Sequence, residues 1–187
     1  MTHLPYPSPL TPDELRDRAA RIEWLLLDVD GVLTDGRVVY ASNGTELKNF
    51  HVRDGSGLKL WRRAGKRAAI LSGRSSEAVT RRAAELGIDP VVQGCDDKLA
   101  GFRDLLKRFG CGPEAVCGMG DDLPDVPVML RCGLAAAVAD ACDEAKRAAH
   151  WVAPVAGGTG AVRATIEWLL ALRGEWAAMV DWYRIAG

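Results

Sequence analysis

Two aspartates, Asp28 and Asp30, follow directly on the apolar run Leu25–Leu27. The run is typical of a buried strand, and the stability of such a strand does not require acidic residues at its end. Open α/β sheets bind their ligands at the carboxyl ends of their strands. The aspartate pair therefore indicates chemistry rather than a structural need.

Further polar residues follow other predicted strands or open predicted helices. They are Ser72, Lys98, Asp121, Asp122 and Asp125. If the strands lie side by side, these residues converge with the aspartate pair on one edge of the sheet. A dense carboxylate cluster cannot stay fully ionised without a cation, and hard oxygen ligands favour Mg²⁺. With a hydroxyl, an ammonium group and backbone amides available to phosphate oxygens, the set suits phosphoryl transfer.

The elements that must position these residues alternate between short apolar runs and longer amphipathic segments. We predict strands at about Trp24–Leu27, Ala68–Leu71, Val91–Val92, Ala115–Gly118 and Leu134–Ala137. We predict helices at about Gly57–Ala64, Glu77–Leu86, Lys98–Phe109, Pro124–Arg131, Ala141–His150 and Ala161–Leu172, after a short helix that begins near Thr11. This alternation predicts an α/β, Rossmann-like fold with a doubly wound parallel sheet. We expect a single domain over residues 1–187.

One segment departs from the alternation of strands and helices. Ser42-Asn43-Gly44 lies between two β-prone runs, and Asn-Gly in that setting favours a β-hairpin. We therefore predict a hairpin insertion over about residues 36–52, after the first strand. Beside an active site, such a hairpin could cover the site or mediate assembly.

The composition sets broad limits on function. The chain has 24 Lys and Arg residues against 25 Asp and Glu residues, so no overall charge draws it to nucleic acid or to an anionic membrane. No apolar run reaches membrane-spanning length, and Pro5, Pro7 and Pro9 do not fit a secretory leader. The five cysteines are odd in number and lack CxxC spacing, so we expect reduced thiols in a cytoplasmic protein.

The order of the polar motifs resembles that of the haloacid dehalogenase superfamily of phosphatases with an aspartate nucleophile. Its first motif matches Asp28-Val29-Asp30-Gly31-Val32, its second Ser72, its third Lys98, and its fourth Gly120-Asp121-Asp122 with Asp125. The resemblance implies that Asp122 and Asp125 orient Lys98 or a metal-bound water from outside the ligand sphere.

The same resemblance implies roles for the remaining motif residues. Asp28 would attack phosphorus, and Asp30 would act as the general acid and base. Asp28, the backbone carbonyl of Asp30 and Asp121 would hold Mg²⁺. Ser72 and Lys98 would bind the phosphoryl oxygens.

Further motifs resemble, more narrowly, the family of 3-deoxy-D-manno-octulosonate (KDO) 8-phosphate phosphatases, which act in lipopolysaccharide biosynthesis. They are Asp35-Gly36, the hairpin, His51-Val52-Arg53-Asp54-Gly55, Ser72-Gly73-Arg74-Ser75, and the segments 94–98, 120–127 and 157–163. The resemblance implies a capless hydrolase that assembles as a homotetramer, with the hairpins paired in a central barrel.

The substrate-binding residues that this resemblance implies fall into two groups. One is the segment His51, Val52, Arg53, Asp54 and Gly55, which we interpret as a loop, and the other is the cations Lys59, Arg74, Arg82 and Lys98. A 2-keto acid sugar phosphate carries a carboxylate as well as phosphate, and a guanidinium group pairs well with a carboxylate. Arg74 favours the eight-carbon substrate, because related deoxynononulosonate 9-phosphate phosphatases often carry glutamate after the same glycine.

Two alternative functions remain open from the sequence. The same chemistry could act on a nine-carbon ulosonate 9-phosphate, of the deoxynononulosonate or N-acylneuraminate type. The chain could also be a non-catalytic sugar-phosphate-binding assembly domain, although the intact motifs argue against this interpretation.

The C-terminal tail, about residues 173–187, is rich in tryptophan. Trp176 and Trp182 give it a large apolar surface. We expect it to pack on its own domain or at a subunit interface.

Overall fold

The computed structural model describes residues 9–185. In chain order its elements are α1 (Pro12–Arg21), β1 (Trp24–Leu27), β2 (Val39–Tyr40), β3 (Glu46–Leu47), α2 (Val52–Arg63), β4 (Arg67–Leu71), α3 (Glu77–Leu86), β5 (Val91–Val92), α4 (Lys98–Phe109), β6 (Val116–Gly120), α5 (Val126–Met129), β7 (Leu134–Ala137), α6 (Asp143–Ala148), β8 (Trp151–Val152), α7 (Ala161–Leu172) and α8 (Trp176–Ile185). Among these helices, none is long and apolar enough to cross a membrane.

The main sheet contains six parallel strands in the order β5-β4-β1-β6-β7-β8. The order reverses between β1 and β6, which is where ligand sites form in sheets of this kind. Leu27 is in register with Ile70 on one side and with Met119 on the other. The predicted doubly wound parallel sheet is confirmed, and its central strands end at the same edge.

Strand β1 is buried on both faces of the sheet, which explains its uninterrupted apolar sequence. Leu25 and Leu27 belong to the core beneath α1, α2 and α7. Trp24 and Leu26 belong to the core beneath α4 and α5. The residue that follows β1 is therefore held by packing on two sides.

The predicted hairpin is present. Strands β2 and β3 pair in antiparallel fashion, with Val39 opposite Leu47 and Tyr40 opposite Glu46. The turn between them contains Gly44 at φ +83°, a conformation that glycine adopts readily.

Helix α2 begins five residues before the predicted start at Gly57, so the interpretation of His51–Gly55 as a loop is wrong. His51 caps the helix, and its Nδ1 accepts a hydrogen bond from the Arg53 N–H at 3.2 Å. The glycines suggested a non-helical segment because glycine lowers helix propensity. Here they serve packing, since a Cβ at Gly57 would lie 3.0 Å from the Cα of Arg163 in α7.

Several other boundaries differ from the prediction. Predicted helices Pro124–Arg131 and Ala141–His150 shorten to α5 and α6, predicted strand Ala115–Gly118 shifts to β6, and β8 was not predicted. Helix α6 stops early because the backbone N–H of His150 donates to the Ala135 carbonyl at 2.8 Å. This bond turns the chain into β8 beside β7.

The described part of the tail folds back as α8 onto its own domain. Trp176 and Met179 pack against the core, and the guanidinium of Arg63 lies 3.2 Å from the ring centre of Trp182. Of the predicted tail, residues 186–187 lie outside the described residues, as do Pro5 and Pro7 at the other end.

Candidate active site

A buried ion-pair group lies at the carboxyl end of β1. Lys98, the first residue of α4, places its Nζ 2.8 Å from Asp28 Oδ1 and 2.6 Å from Asp125 Oδ1. All three side chains are almost fully buried. Asp97 caps α4 by accepting a hydrogen bond from the Ala100 N–H at 3.0 Å, which fixes the helix start that carries Lys98.

Asp125 uses both of its carboxylate oxygens within the protein. Oδ1 accepts from Lys98, and Oδ2 accepts from the backbone N–H groups of Asp121 at 3.1 Å and Asp122 at 3.4 Å. Gly120 permits this approach, because a Cβ there would lie 2.3 Å from the Asp125 Cβ. Asp125 is thus placed to orient Lys98, whereas Asp122 is exposed and contributes only its backbone N–H.

Asp121, which follows β6, completes a cluster of acidic groups. Carboxylate oxygens of Asp28, Asp121 and Asp125 lie within 4.8 Å of one another. Gly31 adopts φ +92°, and a Cβ there would lie 2.1 Å from Asp121 Oδ2. The turn after β1 therefore packs directly on the Asp121 carboxylate, and only glycine fits.

The pKa values of these groups show how poorly the protein alone compensates their charge. Burial, followed by the charge of Asp125, raises the pKa of Asp28 to about 6. Burial, followed by the charges of Asp28 and Asp125, raises the pKa of Asp121 to about 8. Burial would lower the pKa of Lys98, but the charges of Asp28 and Asp125 outweigh it and raise this pKa.

These observations fit a divalent cation. Because Asp125 is committed to Lys98 and to backbone amides, Asp28 and Asp121 are the carboxylates with oxygens left for a metal. A hard cation between them would stabilise both carboxylates in their charged form and so offset the burial and the neighbouring charges that raise their pKa values.

Asp30 lies in a second polar group, which involves the hairpin. Its Oδ1 pairs with Lys48, and its Oδ2 lies 3.5 Å from Arg74 Nε. Glu46 accepts a hydrogen bond from Arg74 at 2.7 Å and lies 3.4 Å from Lys48. The sequence reasoning missed Glu46 and Lys48. Their spacing across β3, which puts both on one face of the strand, is the signal that could have found them.

Ser72 follows β4 and is buried. Its N–H donates to the Val92 carbonyl at 2.9 Å, and its carbonyl accepts from the Cys95 N–H at 3.0 Å. These backbone bonds fix its position at the sheet edge that also carries Asp28.

The residues predicted to bind substrate differ in their burial, since some are enclosed and others are exposed. Asp54 is enclosed, with Oδ1 accepting from the Arg163 N–H at 2.8 Å at the start of α7, and burial raises its pKa. Gly55 lies under the guanidinium of Arg82, 2.4 Å from where its Cβ would be. Val52 is 80% exposed, and Arg53 and Lys59 are exposed. Within residues 9–185, no hydrogen bond or ion pair joins these residues, or His51, to Asp28 or Lys98.

The glycine-rich turn at 157–160 packs against the turn that carries Asp30. A Cβ at Gly157 would lie 1.7 Å from the Gly31 carbonyl oxygen, and the Gly158 N–H donates to the Val32 carbonyl at 3.0 Å. The turn therefore has a packing role beside the site.

The fold and the acidic cluster are typical of the haloacid dehalogenase-like hydrolases. A model of the haloacid dehalogenase-like hydrolases matches residues 90–164, which include Lys98, Asp121 and Asp125. The remaining motif residues precede that region: Asp28 and Asp30 follow β1, and Ser72 follows β4.

Comparison with individual proteins narrows the class to a family. The chain is 45% identical over 158 residues to the 3-deoxy-D-manno-octulosonate 8-phosphate phosphatase KdsC of Escherichia coli K12, covering 84% of each chain. It is 44% identical over 167 residues to that of Salmonella typhimurium, covering 89% of this chain and 88% of the relative. The chain belongs to the family of 3-deoxy-D-manno-octulosonate 8-phosphate phosphatases.

Solved structures agree with this assignment. The phosphatase of this name from Moraxella catarrhalis, crystallised with magnesium, phosphate and KDO, superposes with a TM-score of 0.89 at 37% identity, covering 91% of this chain and 98% of the other. The cobalt-bound phosphatase of Haemophilus influenzae gives a TM-score of 0.82 at 40% identity, covering 86% and 94%.

Proposed function

We propose that this protein is a Mg²⁺-dependent phosphatase that hydrolyses KDO 8-phosphate to KDO and phosphate through an aspartyl-phosphate. The observation that carries the proposal is the buried Asp28–Lys98–Asp125 group beside Asp121. This group supplies a carboxylate nucleophile, a cation for phosphate oxygens and free carboxylate ligands for a metal. The family to which the chain belongs supports the substrate.

Asp28 performs the first step. Lys98 holds Oδ1 at 2.8 Å, so the other oxygen attacks phosphorus while the ester oxygen leaves. Asp30 gives its proton to that oxygen, and KDO departs as an alcohol. Ser72 and Lys98 bind the phosphoryl oxygens and offset their negative charge.

Asp30 also serves the second step. Its carboxylate takes a proton from water as the water attacks phosphorus and the bond to Asp28 breaks. Phosphate leaves, and Asp28 returns to its starting form. Mg²⁺, held by Asp28, Asp121 and the Asp30 carbonyl, supplies charge compensation for the phosphoryl group when bound.

Recognition of the sugar acid is assigned to the arginines and to the segment at the start of α2. Arg74 lies beside Asp30 and is 45% exposed, so its guanidinium is accessible to a carboxylate. The exposed Arg53 and Lys59 have side chains available to a substrate or to a neighbouring subunit. His51, Val52, Gly55 and Arg82 shape the same region, whereas Asp54 acts by fixing α7.

The test is phosphate release from three substrates by the purified protein with Mg²⁺. KDO 8-phosphate should give a kcat/KM well above that of a nine-carbon ulosonate 9-phosphate and of p-nitrophenyl phosphate. Comparable kcat/KM values for all three would overturn the substrate assignment and leave the proposed chemistry intact. A higher value for the nine-carbon ester would establish the alternative substrate.

The proposal also covers the domain organisation, the oligomeric state and the location of the protein. A single domain over residues 1–187 is supported by one continuous six-stranded sheet within the described residues. A homotetramer is supported by the exposed apolar side chains of the hairpin, Val38, Val39, Tyr40 and Leu47. A cytoplasmic location is supported by the five cysteines, which are all free.

A further inference from the structure

The hairpin brings a buried lysine to Asp30. Lys48, which directly follows β3, forms an ion pair with Asp30 Oδ1, and only 1% of its side chain is exposed. Lysine is rarely buried to this extent unless it is paired, and Glu46 provides a second partner at 3.4 Å. None of the four motifs that mark the chemistry contains Lys48.

The two oxygens of Asp30 have different surroundings. Oδ1 accepts a hydrogen bond from Lys48. Oδ2 is buried and has no hydrogen-bond partner among residues 9–185, although Arg74 Nε lies 3.5 Å away. Leaving a buried oxygen without a hydrogen bond costs free energy, so such an atom in a folded protein calls for an explanation. A substrate atom that becomes the partner of Oδ2 only during the reaction would explain it.

We propose that Lys48 is a positioning residue for Asp30. By holding Oδ1 it fixes the rotation of the carboxyl group and leaves Oδ2 as the oxygen that exchanges the proton. Oδ2–H protonates the ester oxygen as its bond to phosphorus breaks, and Oδ2 later takes a proton from the attacking water. This inference rests on the proposed function, because it requires Asp30 to act on a phosphate ester.

Glu46 sets the spacing of the cations around Asp30. It accepts a hydrogen bond from Arg74 at 2.7 Å and also contacts Lys48, so it lies between them. Because Glu46 and Lys48 both come from one arm of the hairpin, the placement of that arm determines how Asp30 is held.

The test compares esters whose leaving groups differ in their need for a proton. KDO 8-phosphate releases an alkoxide, which needs the proton of Asp30, whereas p-nitrophenyl phosphate releases a nitrophenolate, which does not. In Lys48→Met, kcat for KDO 8-phosphate should fall by about 10- to 100-fold, a part of the usual general-acid contribution, and kcat for p-nitrophenyl phosphate by less than about 3-fold. KM should change little.

Three further variants are compared with Lys48→Met. Lys66→Met removes another largely buried lysine, paired with Glu23 at 2.7 Å and adjacent to the opposite end of β4, and should leave both rates unchanged. Lys48→Arg should recover part of the lost rate on KDO 8-phosphate. Lys48→Gln provides a second variant if the methionine variant folds poorly. Rates are compared only among variants that keep the oligomeric mass of the wild type.

Two results would overturn the inference alone. One is an equal loss on both esters in Lys48→Met and Lys48→Gln, which would show that Lys48 supports the site as a whole. The other is a rise in KM with unchanged kcat, which would make Lys48 a substrate contact. Wild-type protein that hydrolyses neither ester would overturn the proposed function, and the inference with it.

Discussion

Asp28 combines burial with the attacking role proposed for it, and both depend on the neighbouring side chains. Burial makes its charge costly and raises its pKa to about 6, while Lys98 at 2.8 Å opposes that cost. The side chain is therefore held ionised in a buried site, where a carboxylate is poorly solvated and reactive.

Replacing Asp28 with asparagine should abolish turnover. The amide cannot attack phosphorus, so kcat should fall by about 10³-fold or more, while the isosteric side chain preserves the fold. Phosphate release from KDO 8-phosphate measures the loss. Asp104→Asn, an exposed aspartate of α4 paired with Lys107, is the matched control and should retain full activity. Substantial turnover by Asp28→Asn would show that another group attacks.

Gly31 supports the metal site through its lack of a side chain. In Gly31→Ala the new Cβ would collide with Asp121, in addition to the cost of a positive φ. We expect Mg²⁺ affinity, measured by calorimetry, to fall by at least about 10-fold, as it does when the support of a metal ligand is disturbed.

Gly65→Ala separates these two costs. Gly65 has φ +77° and open space around it, so its replacement carries the backbone cost without the collision. It should lower the melting temperature slightly and leave Mg²⁺ affinity intact. Equal Mg²⁺ affinities in the two variants would refute the role of Gly31.

At the residue scale, the sequence predicted the positions that belong to contiguous motifs. Asp28, Lys98 and Asp121 meet because each is adjacent to a strand or helix end that can be read locally. Lys48 lies eighteen positions from Asp30, and the placement of the hairpin beside the turn after β1 brings the two together. The local spacing puts Lys48 on the same face as Glu46, but it does not encode the contact with Asp30.

At the element scale, a partly buried histidine connects β7 to the start of β8. His150 Nδ1 accepts a hydrogen bond from the Ala135 N–H at 3.0 Å, and Nε2 lies 3.2 Å from the guanidinium of Arg18. Burial, followed by the charge of Arg18, lowers the pKa of His150 from 6.5 to about 4. The folded protein therefore keeps this ring neutral.

This arrangement predicts a pH dependence of stability. Between about pH 6.5 and pH 4 the unfolded chain binds a proton at His150 that the folded chain does not, so stability falls as the pH falls. The loss is at most about 3 kcal/mol, from the size of the shift. Urea unfolding of the wild type and of His150→Gln across this range measures it. An identical slope in both proteins would contradict the prediction.

Helix α2 shows why some element boundaries could not be predicted. Gly55 and Gly57 lower the helix propensity of its first two turns, and that local preference favours a loop. The structure overrides it because both glycines allow close contact, Gly55 with Arg82 and Gly57 with α7. Strand β1, by contrast, has the predicted bounds, since burial on both faces gives it a distinct apolar sequence.

At the scale of the whole molecule, the hairpin exposes several apolar side chains near the site. Val39 and Leu47 face each other across β2 and β3 and are 41% and 51% exposed. A pair of β-branched and aliphatic residues in this position suits strand pairing with another copy of the chain.

The proposed homotetramer gives a direct prediction. Light scattering of the wild type at micromolar concentration should report the mass of four 20.2 kDa chains. Val39→Lys combined with Leu47→Lys should reduce that mass, because charges would be buried unpaired at the interface. The matched control, Val155→Lys, changes another exposed valine outside the hairpin and should leave the mass unchanged. A monomeric wild type would contradict the assembly.

The placement of β1 has a consequence for motion in the molecule. This strand is bonded on both sides and buried on both faces, whereas β2 and β3 are two-residue strands bonded only to each other within the described chain. Local opening is rare in the first setting and frequent in the second. Asp28 therefore follows a strand in which local opening is expected to be rare, while Asp30, two residues later, is held by a hairpin in which it is expected to be more frequent. Gentle warming would weaken the contacts between the hairpin and Asp30 at temperatures well below the melting of the sheet. Turnover would then be lost while the protein is still folded.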